Sequence, residues 1–132
     1  MDRQENTQKM MDHWVSRSDN DYETMNHLMQ SKDYHWALFI GHLVIERLLK
    51  AAVVKNTGDH APLTHDLRRL AKIAGIEADE EQKYFLDAIS SFNINARYDD
   101  YKQDFYKKCT KDYALMWIVN IQKLREWIKT KL

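Results

Sequence analysis

Residues 37–54 read ALFIGHLVIERLLKAAVV, and the environment that buries this run decides the fold. With successive residues turned by about 100°, Trp36, Ala37, Leu38, Ile40, Leu43, Val44, Ile45, Leu48, Leu49, Ala51 and Ala52 cover most of a helix circumference. A helix apolar nearly all round lies either in a membrane or at the centre of a soluble bundle. His42, Glu46, Arg47 and Lys50 are each costly in hydrocarbon, and the run is marginally short for a span. It therefore reads as the central helix of a soluble bundle.

The flanking sequence supplies helices to surround it. Met10, Trp14, Ser18, Tyr22, Met25 and Leu28 or Met29 recur at three- and four-residue steps and predict a first helix over about 5–30. Ser31 or Asp33 can then cap the central helix, which runs over about 33–56 until NTGDHAP stops it. Thr64 can cap a short third helix with Gly75 past its end, and Leu67, Leu70, Ala71 and Ala74 on its buried side. Asp79 with Gln82 forms a capping-box pattern that opens a fourth helix through about Phe92.

A last helix starts at Thr110, with Tyr113, Met116, Trp117, Asn120, Ile121, Leu124, Trp127 and Ile128 on one face. Leu115, Ile118 and Val119 form a second apolar face, more than a simple bundle needs, and predict burial against a second copy. The expectation is one all-α domain over residues 1–132, an up-and-down bundle of about five helices. Scarce glycine and proline, 3 and 1, agree with few breaks.

Composition narrows function mainly by exclusion. Twenty basic and twenty acidic side chains cancel, so no global positive field draws the chain to nucleic acid, and any nucleotide or RNA site is local. The single cysteine, Cys109, forms no intramolecular disulfide and suits a reducing compartment. The opening MDRQENTQKMMDHW lacks the apolar segment of a signal peptide, so the expected location is the cytoplasm, with no membrane association.

The six histidines do not make a metal site: His35 and His42 are two helical turns apart, and no carboxylate or thiolate set completes either that pair or His60 with His65. A triad from Ser90 or Ser91, His65 and Asp66 lacks a turn that presents a serine, and the three glycines stand alone, so there is no phosphate loop. No cofactor or metal is called for.

Three polar features remain. His35, His42, Glu46 and Lys50 share one sector of the central helix. Thr64-His65-Asp66-Leu67 opens the third helix. FNINARYDDYKQDFYKK, residues 92–108, reads as a polar connection that rings Arg97 with asparagines, tyrosines and aspartates. Each has a local explanation: a solvated Glu46–Lys50 pair, a helix cap, and a surface arginine tied to Asp99 or Asp100.

In this order, the three features resemble the HEPN domain family, named for nucleotide binding in higher eukaryotes and prokaryotes. The family's E-K-x-L-K-type run stands here as Glu46-Arg47-Leu48-Leu49-Lys50, and its T-H-D-L as Thr64 to Leu67. The A-R-Y-P-D of one large subgroup stands as Ala96-Arg97-Tyr98-Asp99-Asp100, with Asp99 in place of proline.

The resemblance implies an α-helical bundle, commonly a homodimer whose cleft gathers polar loop residues of both chains. Family members include metal-independent ribonucleases with an R-x4-6-H motif, often toxins, and modules that bind nucleotides or accompany a minimal nucleotidyltransferase. In the ribonucleases the arginine holds a phosphate and the histidine moves protons. Here Lys102, Gln103 and Asp104 occupy the histidine positions and no histidine follows Arg97.

The expected function is thus a dimeric module that binds a nucleotide or RNA phosphate through Arg97, Tyr98, Asp100, Glu46, Lys50 and His42, with no catalytic residue assigned. A nucleotidyltransferase in a toxin-antitoxin-like or defence system is the expected partner. Two alternatives stand beside it: a ribonuclease using a non-family base such as His65 or His42, and a structural dimer in which Arg97 is locked by Asp100 or Glu46.

Overall fold

The computed structural model describes residues 2–132, apart from the side chain of Asp99. It is all-helical over that range: α1 (Arg3–Gln30), α2 (Tyr34–Thr57), α3 (Leu67–Ile73), α4 (Glu80–Arg97), α5 (Asp99–Lys108) and α6 (Lys111–Lys129). Helix α2 is the central element, touched by α1, α3, α4, α5 and α6. Ala37, Leu38, Val44, Ile45, Leu48 and Leu49 are all fully buried, as its sequence requires. None of the described helices is long and apolar enough to cross a membrane.

The neighbours are tied to α2 by specific pairs. Ser18 Oγ on α1 donates to Val44 O at 2.7 Å, and Asp21 pairs with Arg47 one turn further along. Helix α6 comes close because Gly41 offers no side chain: a Cβ there would lie 2.5 Å from Ile121 Cδ1. Trp117 packs its edge against Phe85 and Phe92 of α4, with centroids 5.8 and 5.5 Å apart, and Phe92 meets Phe105 of α5 at 5.5 Å. Asp19 accepts from both Arg125 and Lys129 and so holds α1 to α6.

Several helix ends fall where local chemistry places them. The Asp79–Gln82 capping box is complete, and Thr110 accepts from Tyr113 N. Gly58 and Gly75 take left-handed φ values of 70 and 72°, which cost glycine little. Other expectations shift. Asp66, not Thr64, caps α3 with its carboxylate, while Thr64 Oγ1 accepts from Asp66 N.

Helix α1 closes with two bonds of the Schellman type, Asp33 N to Leu28 O and Lys32 N to Met29 O, and Lys32 sits in the left-handed position at φ 67°. On α6, Met116 is exposed and Ile118 is buried, the reverse of the expectation for each. The helix is turned so that Ile118 joins Ile121 in the core, leaving Leu115, Met116 and Val119 outside.

The largest difference lies in residues 92–108. Helix α4 continues five residues beyond Phe92 to Arg97, and α5 begins after a single extended residue, Tyr98, with φ −95° and ψ 132°. Phe105 and Cys109 anchor α5 to the core, so what read as a polar connection is a helix with one narrow buried edge.

Candidate functional site

Helix α2 carries His42, Glu46 and Lys50 inward, and all three are almost wholly buried at 0, 4 and 6% exposure. Spacing of four residues stacks them along one face, and the structure pairs them. Lys50 Nζ lies 3.3 Å from Glu46 Oε2, and His42 Nε2 lies 3.5 Å from Glu46 Oε1. Two residues from other elements close the cluster. His65, just before α3, donates from Nδ1 to Glu46 Oε1 at 2.7 Å, and the Trp14 ring of α1 lies 5.2 Å from Lys50 Nζ. Its three pairings give the Glu46 carboxylate a hydrogen bond from His65 and a cation beside its other oxygen, which a buried charge requires.

His42 is the least satisfied member. Burial pushes its pKa below the ordinary 6.5, against the opposing pull of Glu46, so the ring is neutral at neutral pH. Both neighbours of Nε2, His65 O at 3.3 Å and Glu46 Oε1, are acceptors, which places the proton on Nε2. Nδ1 is left as a buried lone pair without a partner among the described residues.

Arg97 ends α4 on the surface. Its Nε donates to Asn93 O at 3.3 Å, and its guanidinium lies 6.0 Å from the Phe39 ring of α2 and 5.7 Å from Tyr98. The charge is close enough to contribute to holding His42 neutral. It forms no ion pair with Glu46 or Asp100, so neither of those expected ties locks it. Asp99, the other carboxylate expected to compete for Arg97, lies outside the described side chains. Tyr98 and Asp100 are both exposed beside it.

The six expected site residues thus fall into two groups. His42, Glu46 and Lys50 form a paired interior column, while Arg97, Tyr98 and Asp100 lie at the surface where α4 meets α5. His35, the fourth member of the sequence stripe, leaves the column and stacks edge-on against Tyr106 at 5.0 Å. His65 as partner of Glu46, and Trp14 over Lys50, were not foreseen. Nothing periodic links residues 19 or 36 positions apart across a turn. Glu46 and His65 each lay in a quoted motif, but only packing brings the two motifs together.

Positions 102–104, where a family histidine would follow the arginine, lie within α5, and Lys102 places its ammonium 5.3 Å from the Trp36 ring. Cys109 is buried and its thiol is pushed up to about 12, which makes it a poor nucleophile.

Comparison with curated proteins and with solved structures finds no match. The HEPN domain family model matches residues 11–131, almost the whole chain, and includes every residue of both groups. The chain belongs to the HEPN domain family.

Proposed function

We propose that this chain is a HEPN module that holds the phosphate of a nucleotide or RNA at Arg97, working in the cytoplasm as a homodimer beside a separately encoded minimal nucleotidyltransferase of a toxin-antitoxin-like or defence system. The observation that carries the reading is the state of Arg97. It is a planar five-donor fork at the surface, flanked by aromatic rings and unpaired with Glu46 or Asp100. Tyr98, 54% exposed, offers a face on which a base can stack. Family membership supports the nucleotide class and the partner. The exposed Leu115, Met116 and Val119 of α6 support the second copy.

Arg97→Ala tests the site. Binding of nucleotide or RNA should weaken by about 1.5 to 3 kcal/mol, the scale of one lost charged hydrogen bond, while helical content stays unchanged. Equal binding by the variant would remove Arg97 from the site. For the dimer, sedimentation at micromolar concentration should give twice the chain mass, and Val119→Glu should give a folded monomer. A monomeric wild type would overturn that part of the reading.

One observation favours a second reading, a ribonuclease with a base from outside the family motif. Glu46 fixes Nδ1 of His65, and the His65 side chain is 54% exposed, so its Nε2 is oriented and open to solvent as in carboxylate-held general bases. His42 is not suited to that role, because it is fully buried and its Nε2 is occupied. RNA cleavage leaving cyclic phosphate ends, lost in both Arg97→Ala and His65→Ala, would establish this reading over simple binding.

A further inference from the structure

The end of α4 and helix α5 meet the start of α2 through two cation–ring contacts and one ring–ring contact. Arg97 faces Phe39, Lys102 lies over Trp36, and Tyr106 meets His35. Beyond Arg97 this seam opens into a cleft of about 370 Å³ lined by His35, Lys102, Gln103, Tyr106 and Lys107. A second hollow of about 290 Å³ shares His35, Tyr106 and Lys107 and adds Lys32 from the α1–α2 turn. The first volume falls within the range of small-ligand sites.

The chemistry of this cleft is one-sided. Among the described residues no carboxylate lines either hollow, although the whole chain carries no net charge and Asp33 is near enough to act on His35. Lys32 and Lys107 make no ion pair among the described residues. The nearest carboxylate on α2's leading turn, Asp33, accepts from Ser31 Oγ at 2.6 Å. Tyr106 is 64% exposed, so one face of its ring is open, and burial holds His35 below its ordinary pKa as a neutral ring. Lysines set around exposed aromatic faces suit a flexible polyanion with flat groups between its charges. A duplex hides those flat groups, whereas a single strand presents them.

We infer that the cleft between the start of α2 and α5 is a second subsite that takes a single strand of RNA leaving Arg97, stacking one base on Tyr106 and holding its phosphates with Lys32, Lys102 and Lys107. The inference rests on the proposed phosphate site at Arg97 and extends it along α5 by about 15 Å, the length of ten helical residues. A mononucleotide at Arg97 does not reach Tyr106, and an oligonucleotide does.

The test compares AMP with a fluorescent hexauridylate on the full chain, using Tyr106→Ala, Lys107→Gln and Arg97→Ala. Tyr106→Ala should weaken the hexamer about five- to 150-fold, the range for one lost stacked base, and leave AMP binding unchanged. Lys107→Gln should lower the slope of log affinity against log salt for the hexamer by about 0.7, the value for one phosphate on a single strand. Both side chains are exposed, and far-ultraviolet circular dichroism checks that each variant keeps its helices. If Arg97→Ala weakens both ligands while Tyr106→Ala and Lys107→Gln weaken neither, the second subsite is overturned and the Arg97 site stands. If the α5 variants weaken the hexamer while Arg97→Ala has no effect, the cleft stands and the Arg97 reading falls. Absence of binding by the wild type overturns both.

Discussion

The interior column of α2 and the surface seam where α4 meets α5 use the same kinds of residue to opposite ends. In the column, Glu46 has Lys50, His65 and His42 within 3.5 Å, and the Trp14 ring lies over Lys50. Along the seam, Arg97, Lys102 and Tyr106 lie against rings. A buried charge has to be neutralised by the chain itself, because water cannot do it. A charge left at the surface against an aromatic face keeps most of its hydrogen-bonding capacity for something else. Breaking the paired region should therefore cost stability, and the surface region is the one that the proposed function assigns to recognition.

Breaking the column should have the largest effect. Glu46→Ala leaves Lys50 as an uncompensated buried cation and His65 without its acceptor, and should cost about 3 to 5 kcal/mol in urea denaturation. A loss below about 1 kcal/mol would mean that water already reaches the cluster and that the contrast is overstated. Arg97→Ala should do the reverse, leaving unfolding free energy within about 0.5 kcal/mol of wild type while weakening ligand binding. A variant that unfolds would make Arg97 a structural tie like Glu46.

Acid should act on the column next. The unfolded chain takes up a proton at His42 near 6.5, whereas the folded chain resists it because burial depresses the pKa. The stabilisation is complete above that value and is lost as the pH falls below it. The slope is at most about 1.4 kcal/mol per pH unit for one proton. His42→Gln should flatten stability between pH 7 and 5 relative to wild type. Parallel curves for the two proteins would show that His42 is not the group that resists the proton.

The smallest expected effect belongs to the turn that feeds the seam. Lys32 occupies a left-handed position that Gly75 fills in the equivalent turn after α3. Lys32→Gly should raise stability by about 1 kcal/mol by relieving the Cβ clash. It should also remove a cation from the cleft and weaken the hexanucleotide. A gain in stability with no change in RNA binding would separate the turn from recognition.

What the sequence revealed and what it hid follow the same division between local and tertiary causes. The Asp79–Gln82 box, the Thr110 cap and the glycines at 58 and 75 act within a few residues of themselves, so their helix ends were readable. The central position of α2 was readable because no other arrangement buries so many apolar side chains. Helix α5 was hidden because, among its described side chains, it contributes only Phe105 to the core, with Cys109 just past its end, and because Tyr98 breaks the chain without glycine or proline. The facing of α6 was misjudged at Met116 and Ile118, since a helix with apolar residues on two sides leaves its rotation to be set by its neighbours. Of the site, the column residues were legible as a stripe, but their partners His65 and Trp14 were not.

The single residue between α4 and α5 makes the angle between these helices depend on one backbone joint at one end and on core packing at the other. Arg97 belongs to the arm held by Asn93 and the buried end of α4, whereas Lys102, Tyr106 and Lys107 belong to the arm that begins after Tyr98 and is pinned by Phe105 and Cys109. Over ten helical residues, a turn of only about 10° at that joint displaces the far end by roughly 2.6 Å, taking the arm as about 15 Å long. A displacement of that size would draw Phe105 away from Phe92, so core packing at the far end holds Tyr106 against His35. The separation of Arg97 from Tyr106 is thus set by one backbone joint and one buried ring, and a substitution at Tyr98 or Phe105 resets it.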